Sequence, residues 1–190
     1  MSELHLACIV EGKGERPALP KLLRRIVEQI TAYQVALPTP PMKKLDRAKL
    51  SHPGELERAV EYLARNAPNA ALLIVMDGDD DCPVNLGADL LRRAKAARPD
   101  RRISVVIVQR EFEAWFIAAA KSLGIETTDP RGPEEIRGAK QWLNEHRPPY
   151  RASIDQERLA ATFDLDEART NSRSFRKLWK EVEILLAEVS

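Results

Sequence analysis

The sequence is short of cysteine and histidine, has no long apolar run, and shows no excess of one charge. Two cysteines, Cys8 and Cys82, cannot build a disulfide framework. Cys8 lies inside an apolar run and reads as a small core residue, whereas Cys82 follows an acidic cluster. His5, His52 and His146 share no ligand spacing and no Cys-x-x-Cys occurs, which disfavours zinc. No stretch reaches the roughly 18 apolar residues that a membrane span needs. The N-terminus lacks the basic and apolar regions of a secretory leader. The expectation is a reduced, cytoplasmic protein with no membrane partner. Lys and Arg total 30 against 29 Asp and Glu, so a net charge of +1 creates no global pull toward nucleic acid. Basic stretches at residues 21–25, 43–49 and 92–102 can still form local patches, or simply solvated faces.

What is present is the material of a globular α/β chain. At 190 residues, 44% hydrophobic and 31% charged, it can bury one substantial core. Residues 4–10 read as a buried strand ended by Glu11-Gly12. From Ala18 onward, Leu19, Leu22, Leu23, Ile26, Val27 and Ile30 share one helical face, with Pro17 and Pro20 expected in the first turn. Residues 33–37 suggest a short strand, and the proline-bounded stretch 38–54 a loop. Leu56, Ala59, Val60 and Leu63 predict a helix, 71–76 a covered strand, 86–97 a helix and 103–108 a β-branched strand. Phe112, Trp115, Phe116 and Ala119 then repeat helically. This order predicts a layered α/β domain with a mostly parallel four-stranded sheet over residues 1–124. Residues 125–190 predict a helical C-terminal extension packed on it, with helices near 134–145, 156–162 and 172–189.

Three predicted strands end in acid: Glu11 after the first, Asp77, Asp79, Asp80 and Asp81 after the third, and Glu111 and Glu113 after the last. Ligands of open α/β sheets gather at such carboxyl ends. In an extended chain Asp77 and Asp79 point to one side, and Asp81 joins them only if Gly78 makes no turn. Like charges this close repel unless a cation offsets them, and Mg²⁺ does so with one or two carboxylates plus phosphate oxygens. The competing reading of DGDDD is a solvated turn with a helix cap. EGKGE has neither P-loop nor G-x-G-x-x-G spacing; its glycines permit a tight strand-to-helix turn. Lys13 within it is a candidate phosphate or nucleic-acid contact.

The order of these motifs resembles the Toprim domain shared by topoisomerases, bacterial primases, a ribosomal RNA maturase and the overcoming-lysogenisation-defect nucleases. A closer resemblance, running nearly end to end, is to a family of small Toprim-like bacterial proteins. It is carried by VEGKGE, DGDDD, EFEAW, GAKQWL and FDLDEARTNSRSFRKL. The resemblance implies a Toprim-like fold, Glu11 as its glutamate, Asp77 and Asp79 as its acidic pair and Glu113 as a third acidic point. Glu15 matches a second acid, equally readable as a first-turn residue favoured by the helix dipole. Glu111 is a secondary candidate, as is Asp81. Lys140 takes the place of a family lysine that could contact phosphate. Ser174 and Phe175 match a family signature, with Asn171 or Ser172 available as an N-cap.

Together these imply a Mg²⁺-dependent phosphoryl-transfer enzyme, with Mn²⁺ an alternative ion and a nuclease the expected type. Asp77, Asp79, Glu113 and Glu11 would hold metal, and Glu11 could instead serve as general base. The alternative is a nucleotide- or nucleic-acid-binding module without turnover, in which the resemblance suggests a component of a phage-defence system with a protein partner. At this length neither a topoisomerase tyrosine domain nor a primase zinc domain is expected, and a homodimer is the default assembly.

Overall fold

Two runs, Leu6–Val10 and Ala71–Asp77, are buried at every position, and that suits them to the middle of a sheet covered on both faces. The computed structural model describes residues 2–50, 52–126 and 129–187. In chain order the elements are β1 (Ser2–Glu3), β2 (Leu6–Val10), α1 (Glu15–Thr31), β3 (Val35–Ala36), β4 (Met42–Lys44), α2 (Arg47–Leu50), α3 (Glu55–Asn66), β5 (Ala71–Asp77), α4 (Pro83–Ala97) and β6 (Ile103–Val108). Five helices follow: α5 (Ala114–Ala118), α6 (Ala139–His146), α7 (Ala152–Ala160), α8 (Leu165–Asn171) and α9 (Arg173–Ala187).

The four-stranded sheet has the order β4-β2-β5-β6, and every pairing in it is parallel. Side-chain alternation divides the core in two. Leu6, Cys8, Val10, Leu73, Val75, Val106 and Val108 face α1 and the C-terminal helices. Ala7, Ile9, Leu72, Ile74, Met76, Val105 and Ile107 face α3 and α4. Trp142, Leu159, Phe163, Leu178 and Val182, all beyond residue 124, belong to the same apolar cluster as β2 and β5. The register sets Val10 beside Val75 and Asp77 beside Val108, so the strands deliver Glu11, Asp77 and residues 109–113 to one edge.

Four details depart from the sequence expectation. The fourth strand of the sheet is Met42–Lys44, inside the predicted loop, whereas Val35–Ala36 pairs only with Ser2–Glu3 in a separate two-stranded ladder. Three residues, Met42-Lys43-Lys44, carry too little pattern to announce an edge strand. Helix α1 begins at Glu15 and not Ala18, which puts Pro20 inside it rather than in its first turn. The predicted helix at 134–145 begins only at Ala139, because Glu134 is engaged elsewhere, and α8 was not anticipated as a separate helix.

The NSRSF signature explains Glu134. Ser172 caps α9 by accepting the Phe175 N–H at 3.0 Å. The Glu134 carboxylate accepts the N–H groups of Arg173 (3.1 Å) and Ser174 (2.8 Å) at the positive end of that helix. Ser174 donates its hydroxyl to Glu134 at 2.6 Å and accepts the Trp115 indole N–H at 2.8 Å. Phe175 lies edge-on to both Trp115 and Phe163, with ring centroids 5.5 and 5.7 Å away. The signature therefore anchors α9 to α5. Ser174→Ala leaves the buried Trp115 indole N–H without an acceptor and removes one of three donors to Glu134 Oε1. Its expected cost is about 1–3 kcal/mol, against about 1 kcal/mol for loss of the Ser172 cap, read from urea denaturation midpoints.

Candidate metal centre

Glu11 is the first residue past β2 and Asp77 the last of β5, so parallel pairing alone brings them together. The Asp77 backbone lies close enough to the Glu11 carboxylate to oppose the rise in its pKa. Glu15, first residue of α1, folds back so that its Oε2 accepts the Glu11 N–H at 3.1 Å. That bond closes the strand-to-helix turn that EGKGE makes. Gly14 is required there, because a Cβ would sit 2.0 Å from Gln156 Oε1 and 2.5 Å from the Ala152 carbonyl. Lys13 is exposed on the outside of this turn.

The acidic run after β5 divides into residues with different surroundings. Asp77 shares the parity of Leu73 and Val75 and points toward α1, with 6% of its surface exposed. The Gly78 N–H bonds the Val108 carbonyl at 2.8 Å, and Asp79 then turns left-handed, with φ 46°. Extended geometry ends at that point. Asp79 is exposed at the rim, close enough to Glu11 to raise its pKa. Asp80 pairs with Arg110 and, at 2.7 Å, with Arg137, while Asp81 pairs with Arg47. These last two acids are neutralised by arginine in solvent.

Glu113, the N-cap residue of α5, is completely buried. Its Oε1 accepts hydrogen bonds from the Tyr150 hydroxyl at 2.9 Å and the Gln156 amide at 2.8 Å. Its Oε2 has no hydrogen-bond partner and faces the Lys140 ammonium at 3.7 Å. Glu111 accepts the Lys140 backbone N–H at 3.3 Å and lies 3.6 Å from its ammonium. Arg47 donates to the Asp77 carbonyl at 3.2 Å. Tyr150, Gln156 and Arg47 escaped sequence reasoning. They come from a loop and two helices, α7 and α2, whose local patterns carry no sign of a site.

Burial comes first among the causes that disturb these acids. It raises the pKa of Asp77 well above the usual range, and repulsion from Glu15, Glu113 and Glu11 adds to it. Burial likewise raises Glu15 to about 7, with Glu11 and Glu113 adding and the backbone hydrogen bonds opposing. Glu113 rises through burial against the pull of Lys140, and Glu11 through burial and Asp79. Burial would lower the Lys140 ammonium, but Glu113, Asp77 and Glu111 together raise it. Tyr150 is pushed up by burial and by Glu113.

Three buried carboxylate oxygens, Glu11 Oε2, Asp77 Oδ1 and Glu113 Oε2, have no hydrogen-bond donor. An ionised carboxylate only accepts, so a cation or a bound proton is the kind of partner these atoms can take. Hard oxygen donors of this kind suit Mg²⁺ or Mn²⁺. Among the described residues no group of three or more His, Cys, Asp or Glu side chains is already placed to hold a metal ion. Loading therefore requires the carboxylates to turn toward one point. They could do so from Asp77, Glu113 and Glu11, with Glu15 adjacent.

The sign of the pH dependence follows from Glu15. A carboxyl raised from 4.5 to about 7 holds its proton more tightly in the folded chain. Its stabilising contribution is complete below pH 4.5 and is lost as pH climbs toward 7. Urea denaturation across that window is expected to show falling stability for the natural chain and a flatter profile for Glu15→Gln. Mn²⁺ added at the upper end is expected to restore part of the loss.

Among the described residues no helix is long and apolar enough to cross a membrane. No curated protein matches the sequence. One solved structure similar to this chain is described as the C-terminal region of the Xanthomonas campestris pv. campestris OLD protein. It aligns over 97% of this chain and 97% of its own, at 10% identity and a TM-score of 0.46. At that distance the likeness carries no functional weight. The family model described as Domain of unknown function (DUF4276) matches residues 10–183, and the chain belongs to that family.

Proposed function

We propose that the chain is a metal-dependent phosphoryl-transfer enzyme, a nuclease acting on phosphodiesters, with Mg²⁺ or Mn²⁺ held by Asp77, Glu113 and Glu11. The observation that carries this reading is the set of three buried, donorless carboxylate oxygens supplied by separate chain segments at the carboxyl end of the sheet. A bound divalent ion supplies the charge that stabilises the oxygens of an in-line displacement at phosphorus. Tyr150 and Gln156 clamp one oxygen of Glu113 and leave the other free. In place of the ligand role, Glu11, half-buried with a raised pKa, is suited to take a proton from an attacking water. Asp79 stands at the rim, where it can hold a metal-bound water. Lys140, and Lys13 on the adjoining turn, supply positive charge for a phosphate backbone.

One observation favours binding without turnover: Lys140 already balances part of the acidic charge. Activity measurements separate the two. Purified chain with Mn²⁺ or Mg²⁺ is expected to cleave short DNA or RNA oligonucleotides. Asp77→Asn and Glu11→Gln are expected to lower the rate roughly a hundredfold or more, with the folded state retained by circular dichroism. Equal rates in the variants would exclude these residues from the chemistry. Oligonucleotide binding with no cleavage under any metal would establish the binding module.

A further inference from the structure

The cation nearest the buried carboxylates belongs to the chain itself. Lys140 is the second residue of α6, and its ammonium lies 3.6 Å from Glu111 Oε2 and 3.7 Å from Glu113 Oε2. Its backbone N–H also reaches Glu111, and Arg137 just before the helix pairs with Asp80 at 2.7 Å. Residues 137–140 thus cross the mouth of the acidic cluster and are attached at both ends. Neither ammonium contact has hydrogen-bond length. Glu113 Oε2 and Asp77 Oδ1 stay without partners, although Glu113 is 0% and Asp77 6% exposed. The ammonium balances charge from a distance and leaves the oxygens unused. The Lys140 side chain is 49% exposed, so its stem can swing outward without opening the core.

We propose that Lys140 is a built-in counter-ion: it competes with the divalent cation for the Glu113 and Asp77 carboxylates, then passes to a substrate phosphate once the metal has entered. This rests on the metal-site reading above. An ammonium and a divalent ion drawn to the same oxygens repel each other strongly at such separations in a water-poor site. Each therefore weakens the other's hold, and the coupling is reciprocal. A phosphate group can face both cations at once, with one oxygen toward each. Metal and phosphate then bind more tightly together than either does alone, and Lys140 is the link. The residue acts as a gate on loading, favouring metal when a phosphate ester is present.

The test is calorimetric titration of Mn²⁺ into the full chain and into Lys140→Met, Lys140→Gln and Lys140→Arg, each with and without thymidine monophosphate. Without the nucleotide, Lys140→Met is expected to bind Mn²⁺ about tenfold more tightly than the natural chain. The nucleotide is expected to tighten Mn²⁺ binding in the natural chain and in Lys140→Arg, but not in Lys140→Met. Lys140→Gln keeps a polar tip and answers the same question should the methionine variant fold poorly. If the natural chain binds Mn²⁺ and the neutral variants bind it equally or more weakly, competition is overturned while the metal site stands. If they bind it more tightly but keep the nucleotide effect, the transfer to phosphate is overturned. If no form binds Mn²⁺, the metal site itself falls, and the competition with it.

Discussion

Parallel pairing of β2 with β5 is the constraint on which the site depends. It sets Val10 beside Val75, and that register brings Glu11 and Asp77 to one edge of the sheet. Both strands are covered on two faces, so carboxylates at their ends enter a region already stripped of water. The raised pKa values of Asp77, Glu15 and Glu113 are consequences of that placement; burial leads in each, and mutual repulsion adds to it for Asp77 and Glu15. The fold bears an electrostatic cost by keeping these acids together, and functional sites are where such a cost is expected.

The second requirement is the helical part of the chain. Glu113 depends on Tyr150 and Gln156 for its orientation, and the turn that carries Glu11 packs against Gln156 through Gly14. The NSRSF signature and Glu134 attach α9 to Trp115, two residues from Glu113. The helices beyond residue 124 share one apolar cluster with the sheet and reach into the cluster of acids.

Much of this was legible in the sequence because burial writes a strong pattern. The continuous apolar run of β5, the β-branched β6 and the helical spacing of α3 and α4 all report covered surfaces. Strand ends carrying Glu11, Asp77 and Glu113 were legible for the same reason, since acid next to an apolar run is conspicuous. Three-residue β4 was not, because an edge strand buried on neither face leaves no alternation to read. The differing surroundings of Asp77, Asp79, Asp80 and Asp81 were also hidden. They turn on one left-handed residue and on three arginines distant in sequence, and neither leaves a local trace. Tyr150 and Gln156 look like ordinary polar residues until tertiary packing brings them to Glu113.

The dependence of Glu113 on residues 150 and 156 has a consequence for the chain while it is being made. On the ribosome the acids emerge early and the groups that orient the last of them emerge late. A nascent chain that has cleared the tunnel only through β6 and α5 has its carboxylates but lacks the hydroxyl and amide that hold Glu113. The cluster of acids is therefore complete only once residues 150 and 156 have emerged and packed against Glu113.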